Sequence, residues 1–181
     1  MSEITELLRR AGDGDEQALD AVFQSLYPEL RRLAQARVAR EGGSISPTVL
    51  VHEVYLRLVG NDGLSINDRA HFFACAAKAM RHIAIDELRR DLAVKRGGGA
   101  AAVTLDDSLS ELALPGNSAL LEVSQAMDTL GEVNARQKQV VELRFFAGLE
   151  FQEIAELLGC SVRTTKREWE RARAFLYAQL A

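Results

Sequence analysis

The chain has 181 residues, 48% of them apolar and 27% charged, with only three prolines. That length accommodates one or two domains with a real core, and the abundance of Ala, Leu, Glu and Arg with few β-branched runs predicts an all-α fold. The formal net charge of −4 argues against a module that grips duplex DNA by bulk charge alone, and the lack of a signal peptide or of any apolar run near the roughly eighteen residues of a membrane span predicts a soluble, cytoplasmic protein with no membrane partner.

Apolar spacing predicts the elements in order. Ile4, Leu7 and Leu8 begin a helix that meets Gly12-Asp13-Gly14, and Asp15 is placed to cap the next, which carries Leu19, Val22, Phe23 and Leu26. Pro28 either kinks that helix or restarts it, because the pattern resumes at Leu30, Leu33 and Val38. Glu41-Gly42-Gly43-Ser44 breaks the chain, and Pro47 sits where the first turn of a new helix tolerates proline. That helix carries Leu50, Val51, Val54, Tyr55 and Leu58. It ends at Gly60-Asn61-Asp62-Gly63, which opens a polar loop to Arg69. A long amphipathic helix follows from about Ala70 to Arg90. Gly97-Gly98-Gly99 and the polar, acidic stretch after them predict a flexible linker. Beyond it come a lead helix from Leu120 to Leu130 and a helix from Ala135 to Phe146 capped by Asn134. The chain thus divides into residues 1–95, a linker at 96–118 and residues 119–181, and the two blocks are expected to move separately in the free protein.

The end of the chain is the most specific segment. Phe151, Ile154, Ala155, Leu157 and Leu158 recur at helical spacing, Gly159 supplies a positive φ to stop that helix, and Ser161 can cap the next. The second helix opens Val162-Arg163-Thr164-Thr165-Lys166-Arg167 and continues through Trp169, Arg171 and Arg173. This is a helix-turn-helix pattern, whose second helix lies in the DNA major groove with its early residues at base edges and later ones on phosphates. The same segment also reads as a plain helical hairpin with a solvated basic face. Trp169 and Phe175 are expected in the core.

Nothing in the chain points to catalysis. Gly97-Gly98-Gly99 lacks the lysine and flanking elements of a phosphate-cradling loop. Cys75 and Cys160 have no metal-type spacing, and no cluster of His, Cys and carboxylates has ligand or catalytic spacing. No cofactor and no metal are expected.

Taken with the helix-turn-helix, two further stretches resemble a known family. Leu50-Val51-His52-Glu53-Val54-Tyr55-Leu56-Arg57-Leu58 resembles the polymerase-binding helix of bacterial sigma factors of the extracytoplasmic-function (ECF) type, and Ala79 to Arg90 resembles their minus-ten promoter helix. Val140 to Leu149 and the helix-turn-helix resemble their minus-thirty-five domain. The resemblance implies two helical domains, sigma regions 2 and 4, and two partners, core RNA polymerase and promoter DNA. It implies polymerase contacts at Leu50, Glu53, Val54 and Arg57. It implies minus-ten contacts at Asn61, Asp62, Asn67, Lys78, Arg81, His82, Arg89 and Arg90, with His82 as a neutral polar contact. Minus-thirty-five contacts fall on Ser161, Arg163, Thr164, Thr165, Lys166, Arg167 and Arg171. Phe72 and Phe73 are candidates to stack on unpaired bases, with at least one of them in the core. A stand-alone helix-turn-helix regulator is the other reading of the same segment.

One stretch departs from the family. Where typical members carry an acidic cluster before the polymerase-binding helix, this chain has Ser46-Pro47-Thr48-Val49. Phosphate on Thr48 would restore negative charge in the first turn of a helix, where the helix dipole favours it. The pattern resembles a subgroup switched on by serine/threonine kinases, which adds such a kinase as a partner and leaves a separate anti-sigma protein open. Ser46-Pro47 also reads as a helix cap and nothing more.

Overall fold

The computed structural model describes residues 3–41, 45–61, 65–94 and 118–180, and every regular element among these residues is helical. Helix α1 (Glu3–Gly12) has Glu3 and Glu6 in its first turn and Arg9 and Arg10 in its last, the order its dipole favours. Asp15 accepts from the Ala18 amide at 3.1 Å and so caps α2 (Glu16–Glu41). Helix α2 runs through Pro28 without a break. The proline is exposed, so water can serve the carbonyl whose partner it removes, while Leu26, Leu30 and Leu33 are buried on the other side and hold the helix. Helix α3 (Pro47–Val59) follows, then α4 (Arg69–Val94).

The second group comprises α5 (Ser118–Val133), α6 (Ala135–Val141), α7 (Phe151–Leu158) and α8 (Val162–Leu180). Asn134 caps α6 by accepting from the Gln137 amide at 3.0 Å. The expected α-helix to Phe146 changes geometry part-way. Residues Glu142–Phe146 form a π-helical turn, marked by the Ala147 amide donating to the Glu142 carbonyl at 3.1 Å. Single π turns of this kind concentrate at functional sites.

Helix α4 is the axis of the molecule. It packs on α1 and α3 on one side and on α5, the π turn and α7 on the other. Its residues Phe72, Phe73, Ala76, Ala77, Met80, Ile83, Ala84 and Leu88 are all buried. With Ala79, Arg81 and Ile85 also buried, the covered positions extend around roughly two thirds of the helix circumference, wider than one amphipathic stripe. The expectation of separate blocks differs from this arrangement: in the described structure the two groups of helices share one contiguous apolar core. No helix is long and apolar enough to cross a membrane among the described residues.

Candidate nucleic-acid and partner interfaces

The start of α3 is built by its cap. Ser46 has extended backbone angles, its Oγ accepts from the Val49 amide at 3.2 Å, and Pro47 is the first helical residue. Thr48 comes next, exposed, in a first turn that holds no acidic residue. It stands at the edge of a largely apolar cleft of about 380 Å³ lined by Phe23, Tyr27, Val51, His52 and Tyr55. Phe23 packs edge-on against Tyr55 at 4.8 Å, and the Tyr55 hydroxyl donates to Asp20 at 2.6 Å, which fixes the cleft wall. Ser46 faces a different cleft, about 400 Å³, whose wall mixes the apolar Ile45, Val49 and Ile83 with the charged Glu53, Arg57, Glu87 and Arg90.

Four residues of α3 were expected at a partner surface, and the structure divides them. Leu50 and Val54 are 1% and 0% exposed. They are core residues, because their spacing puts them on the face packed toward α2 and α4, and they hold the helix rather than touch a partner. Arg57 is half-buried and pairs with Asp86 of α4 at 2.6 Å. Glu53 is half-buried in the wall of the Ser46 cleft. The exposed apolar residues of this helix are Val49, Leu56 and Val59, which helical spacing alone did not single out.

The expected minus-ten residues do not share one surface. Asn61 and Asn67 are exposed, whereas Asp62 lies outside the described residues. The Ser65 hydroxyl donates to Asn67 at 3.2 Å, and Asp68 caps α4 by accepting from the His71 amide at 2.7 Å. Lys78, His82 and Arg89, spaced i, i+4 and i+11, form one exposed basic face, while Arg90 turns toward the Ser46 cleft. Burial, then the cations Arg81, Lys78 and Arg57, push the His82 imidazole below its ordinary pKa. Phe72 and Phe73 are both core, 0% and 2% exposed, so neither is available to stack on a base.

Arg81 corrects the expectation most sharply, because it is 1% exposed. It reaches across to the second group of helices. Its guanidinium donates to the Ser124 carbonyl at 3.2 Å, to the Ser124 hydroxyl at 3.3 Å and to Asp128 at 3.0 Å. Its Nε lies 3.3 Å from Glu142 Oε1 but without hydrogen-bond geometry, and both atoms lack any hydrogen-bond partner. Burial pushes the Glu142 carboxyl up, against the pull of Arg81. Burial also pushes Asp128 up, but hydrogen bonds from Lys138 and Arg81 outweigh it and leave that carboxyl below its ordinary range. Arg37 is buried at the same junction, donating to the Phe146 carbonyl at 3.1 Å with its guanidinium 5.6 Å from the Phe146 ring centre. Arg32 pairs with Glu153 nearby. Sequence reasoning missed Arg37, Asp128 and Glu142, since nothing local marks a charge whose partner lies far along the chain.

The helix-turn-helix forms as its residues dictate. Gly159 ends α7 at φ 62°. Ser161 caps α8, its Oγ accepting from the Thr164 amide at 3.1 Å and lying 2.9 Å from the Thr164 hydroxyl. Trp169 is buried and meets Phe151 edge-on at 6.0 Å, which fixes the angle between the two helices. Phe175 is half-buried against the same core. Arg163, Arg167 and Arg171, at i, i+4 and i+8, make one exposed stripe with Lys166 beside it. Thr165 does not belong to that stripe. It is 0% exposed, and its hydroxyl donates back to the Ser161 carbonyl at 3.3 Å. Its neighbour's exposure made it look accessible in sequence, but one helical step turns it into the core.

Among the described residues no group of His, Cys, Asp and Glu is arranged to hold a metal ion. A family model described as ECF sigma factor matches residues 1–181. The chain is 24% identical over 169 residues, covering 91% of this chain and 87% of the relative, to the ECF RNA polymerase sigma factor SigK of Mycobacterium tuberculosis and to SigK of Mycobacterium bovis. Members of this family are not enzymes; they bind RNA polymerase and direct promoter-specific initiation. The all-helical fold and the basic stripe on a capped second helix agree with a match over the whole length, and the chain belongs to the ECF sigma factor family.

Proposed function

We propose that this sigma factor engages core polymerase through the outer face of α3, contacts the minus-ten element with the basic face of α4, and reads the minus-thirty-five element with α8. Residues 1–95 then form the polymerase and minus-ten unit, 119–181 the upstream-reading unit, and 96–118 the connection. We further propose that a serine/threonine kinase turns the protein on by phosphorylating Thr48.

The observation that carries the switch is the position of Thr48 itself. It is exposed in the first turn of a capped helix with no acidic residue there, at the rim of an aromatic cleft. Phosphate adds about −1.5 to −2 charges and strong acceptors at such a helix start. Among the described residues no Lys or Arg lines the Thr48 cleft, so that charge stays available to a basic surface on a partner. Ser46 is the competing acceptor, but its hydroxyl already caps the helix and its cleft contains Arg57 and Arg90, which would neutralise a phosphate within the chain.

Run-off transcription with purified core polymerase tests this reading. Unmodified protein should transcribe weakly, kinase-treated protein strongly, and Thr48→Ala weakly even with the kinase. Thr48→Glu should rescue in part, because one carboxylate has less charge and fewer acceptors than phosphate. Equal promoter-specific transcription by verified unphosphorylated and phosphorylated protein would reduce Ser46-Pro47-Thr48 to a helix start.

A further inference from the structure

We propose that Glu168 is a positioning residue for DNA specificity, a fixed carboxylate on α8 that holds the Arg167 and Arg171 side chains at the edge of the exposed stripe and sets how readily they turn to phosphates. The proposal rests on the reading of α8 as the helix that enters the minus-thirty-five element.

Three observations support this role. First, Glu168 is anchored from beneath. It is 9% exposed, and its Oε2 accepts from Gln137 Nε2 of α6 at 3.0 Å. Gln137 is itself placed by the helix cap, since its amide donates to Asn134 Oδ1 at 3.0 Å. Two helices therefore fix where this carboxylate sits. Second, its other oxygen faces the stripe. Oε1 lies 4.0 Å from Arg167 Nε and 3.9 Å from Arg171 Nη1, while those two side chains are 58% and 61% exposed. These separations are too long for hydrogen bonds, so the hold is electrostatic and can be exchanged for a DNA phosphate. Third, the bond to Gln137 does not call for a charge. A neutral acceptor would satisfy the Gln137 side chain equally well, and a carboxylate beside a phosphate-facing surface opposes DNA binding by Coulomb repulsion. Glu170 is the contrast, because it is exposed and pairs with Arg173 at 3.5 Å as an ordinary surface bridge. The consequence is selectivity. Arginines already held near one direction lose less freedom when they dock in the correct register. On other sequences, where no base contact compensates, the same carboxylate competes with phosphates for them and lowers background affinity.

Fluorescence anisotropy on the full chain with core polymerase tests the role, using promoter duplex and a duplex with a scrambled minus-thirty-five element. Glu168→Gln keeps an acceptor for Gln137 and removes the charge. It should keep the thermal midpoint and bind the scrambled duplex about two- to fivefold tighter, the strength of an exposed ion pair. It should also steepen the salt slope by about 1, as a released arginine takes a phosphate. The ratio of promoter to scrambled affinity should fall by a similar factor. Glu168→Asp keeps the charge and should keep the parental slope, even where its shorter side chain weakens the bond to Gln137 and lowers the midpoint. Parental slope and ratio in Glu168→Gln overturn the proposal. So does a Glu168→Asp protein whose slope moves as far as that of Glu168→Gln, because lost packing alone would then explain both. Arg163→Ala is the control for α8 itself. If it lowers promoter preference while Glu168→Gln changes nothing, the positioning role alone is lost. If neither variant alters binding, α8 is not the reader and the proposal falls with that reading.

Discussion

Single side chains on α8 and α4 separate roles that look alike in sequence. Thr164 and Thr165 are neighbours, but Thr165 is buried and bonded to the Ser161 carbonyl. Thr165→Ala should lower stability by about 1 kcal/mol through that lost bond, seen as an earlier thermal midpoint, with promoter preference unchanged. Arg163→Ala should do the opposite. It should leave the midpoint in place and relax preference at one base position by about 1–3 kcal/mol in a competition binding assay. His82 gives a pH prediction. Its folded pKa is lowered, by burial first and then by Arg81, Lys78 and Arg57. The folded state therefore binds fewer protons than the unfolded chain in the window between the two values. Stability contributed by the neutral imidazole is present above the ordinary histidine pKa and is lost as pH falls through that window. A two-dimensional NMR titration of the imidazole should find the midpoint below the ordinary value, and a midpoint at or above it would contradict the placement of those cations. The same geometry supports His82 as a neutral polar group at pH 7 rather than a charged one.

At the scale of elements, ends and faces decide more than propensity. Gly159 adopts φ 62° with nothing within contact distance of a built Cβ. Gly159→Ala should therefore cost only the backbone strain, about 1–2 kcal/mol, and lower the thermal midpoint by a few degrees. A change of several times that size would mean that something packs against the turn after all. The caps at Asp15, Ser46, Asn134 and Ser161 were legible because each is a short polar side chain just before a periodic apolar run, and each accepts from an amide of the first turn. The π turn at Glu142–Phe146 was not legible. Its residues suit an α-helix, and its contacts reach residues far away in the chain: Glu142 Oε1 lies 3.3 Å from Arg81 Nε, and the Phe146 carbonyl accepts from Arg37. Helix α4 was read as singly amphipathic for the same reason: a pattern shows which positions are apolar, while the second face is explained only by what packs on it.

For the whole molecule, charge sets the expected dependence on a partner. With a net charge of −4, the free protein should bind promoter duplex weakly, and steeply worse as salt rises, because only the local cations of α8 and α4 release counterions. Fluorescence anisotropy should show affinity gained when core polymerase is added. Lys166→Ala should weaken binding across all sequences and flatten the salt slope by about 1. Binding that is tight without polymerase and insensitive to salt would argue for a self-sufficient regulator instead. For the polymerase surface, Glu53→Lys with Leu56→Asp is the cleaner perturbation. Arg57 anchors Asp86, so reversing it would disturb the packing of α3 on α4 as well as the surface. The double variant should lose core affinity in a pull-down while keeping its thermal midpoint.

The sequence by itself determined the helical class, most helix starts, the helix-turn-helix with its αL glycine and the exposed arginine stripe. These features depend on residues within a few positions of one another, where steric freedom, capping and helical period act directly. Only the tertiary structure decided which polar and charged residues are buried. Leu50 and Val54 went to the core as any apolar residue at that spacing does. Arg81 went there for a different reason, because Glu142 and Asp128, some forty to sixty positions further along, supply the opposite charge that a buried guanidinium requires. Coulomb attraction acts through space and is indifferent to sequence separation, so a side chain whose burial depends on a distant partner carries no local signature of it.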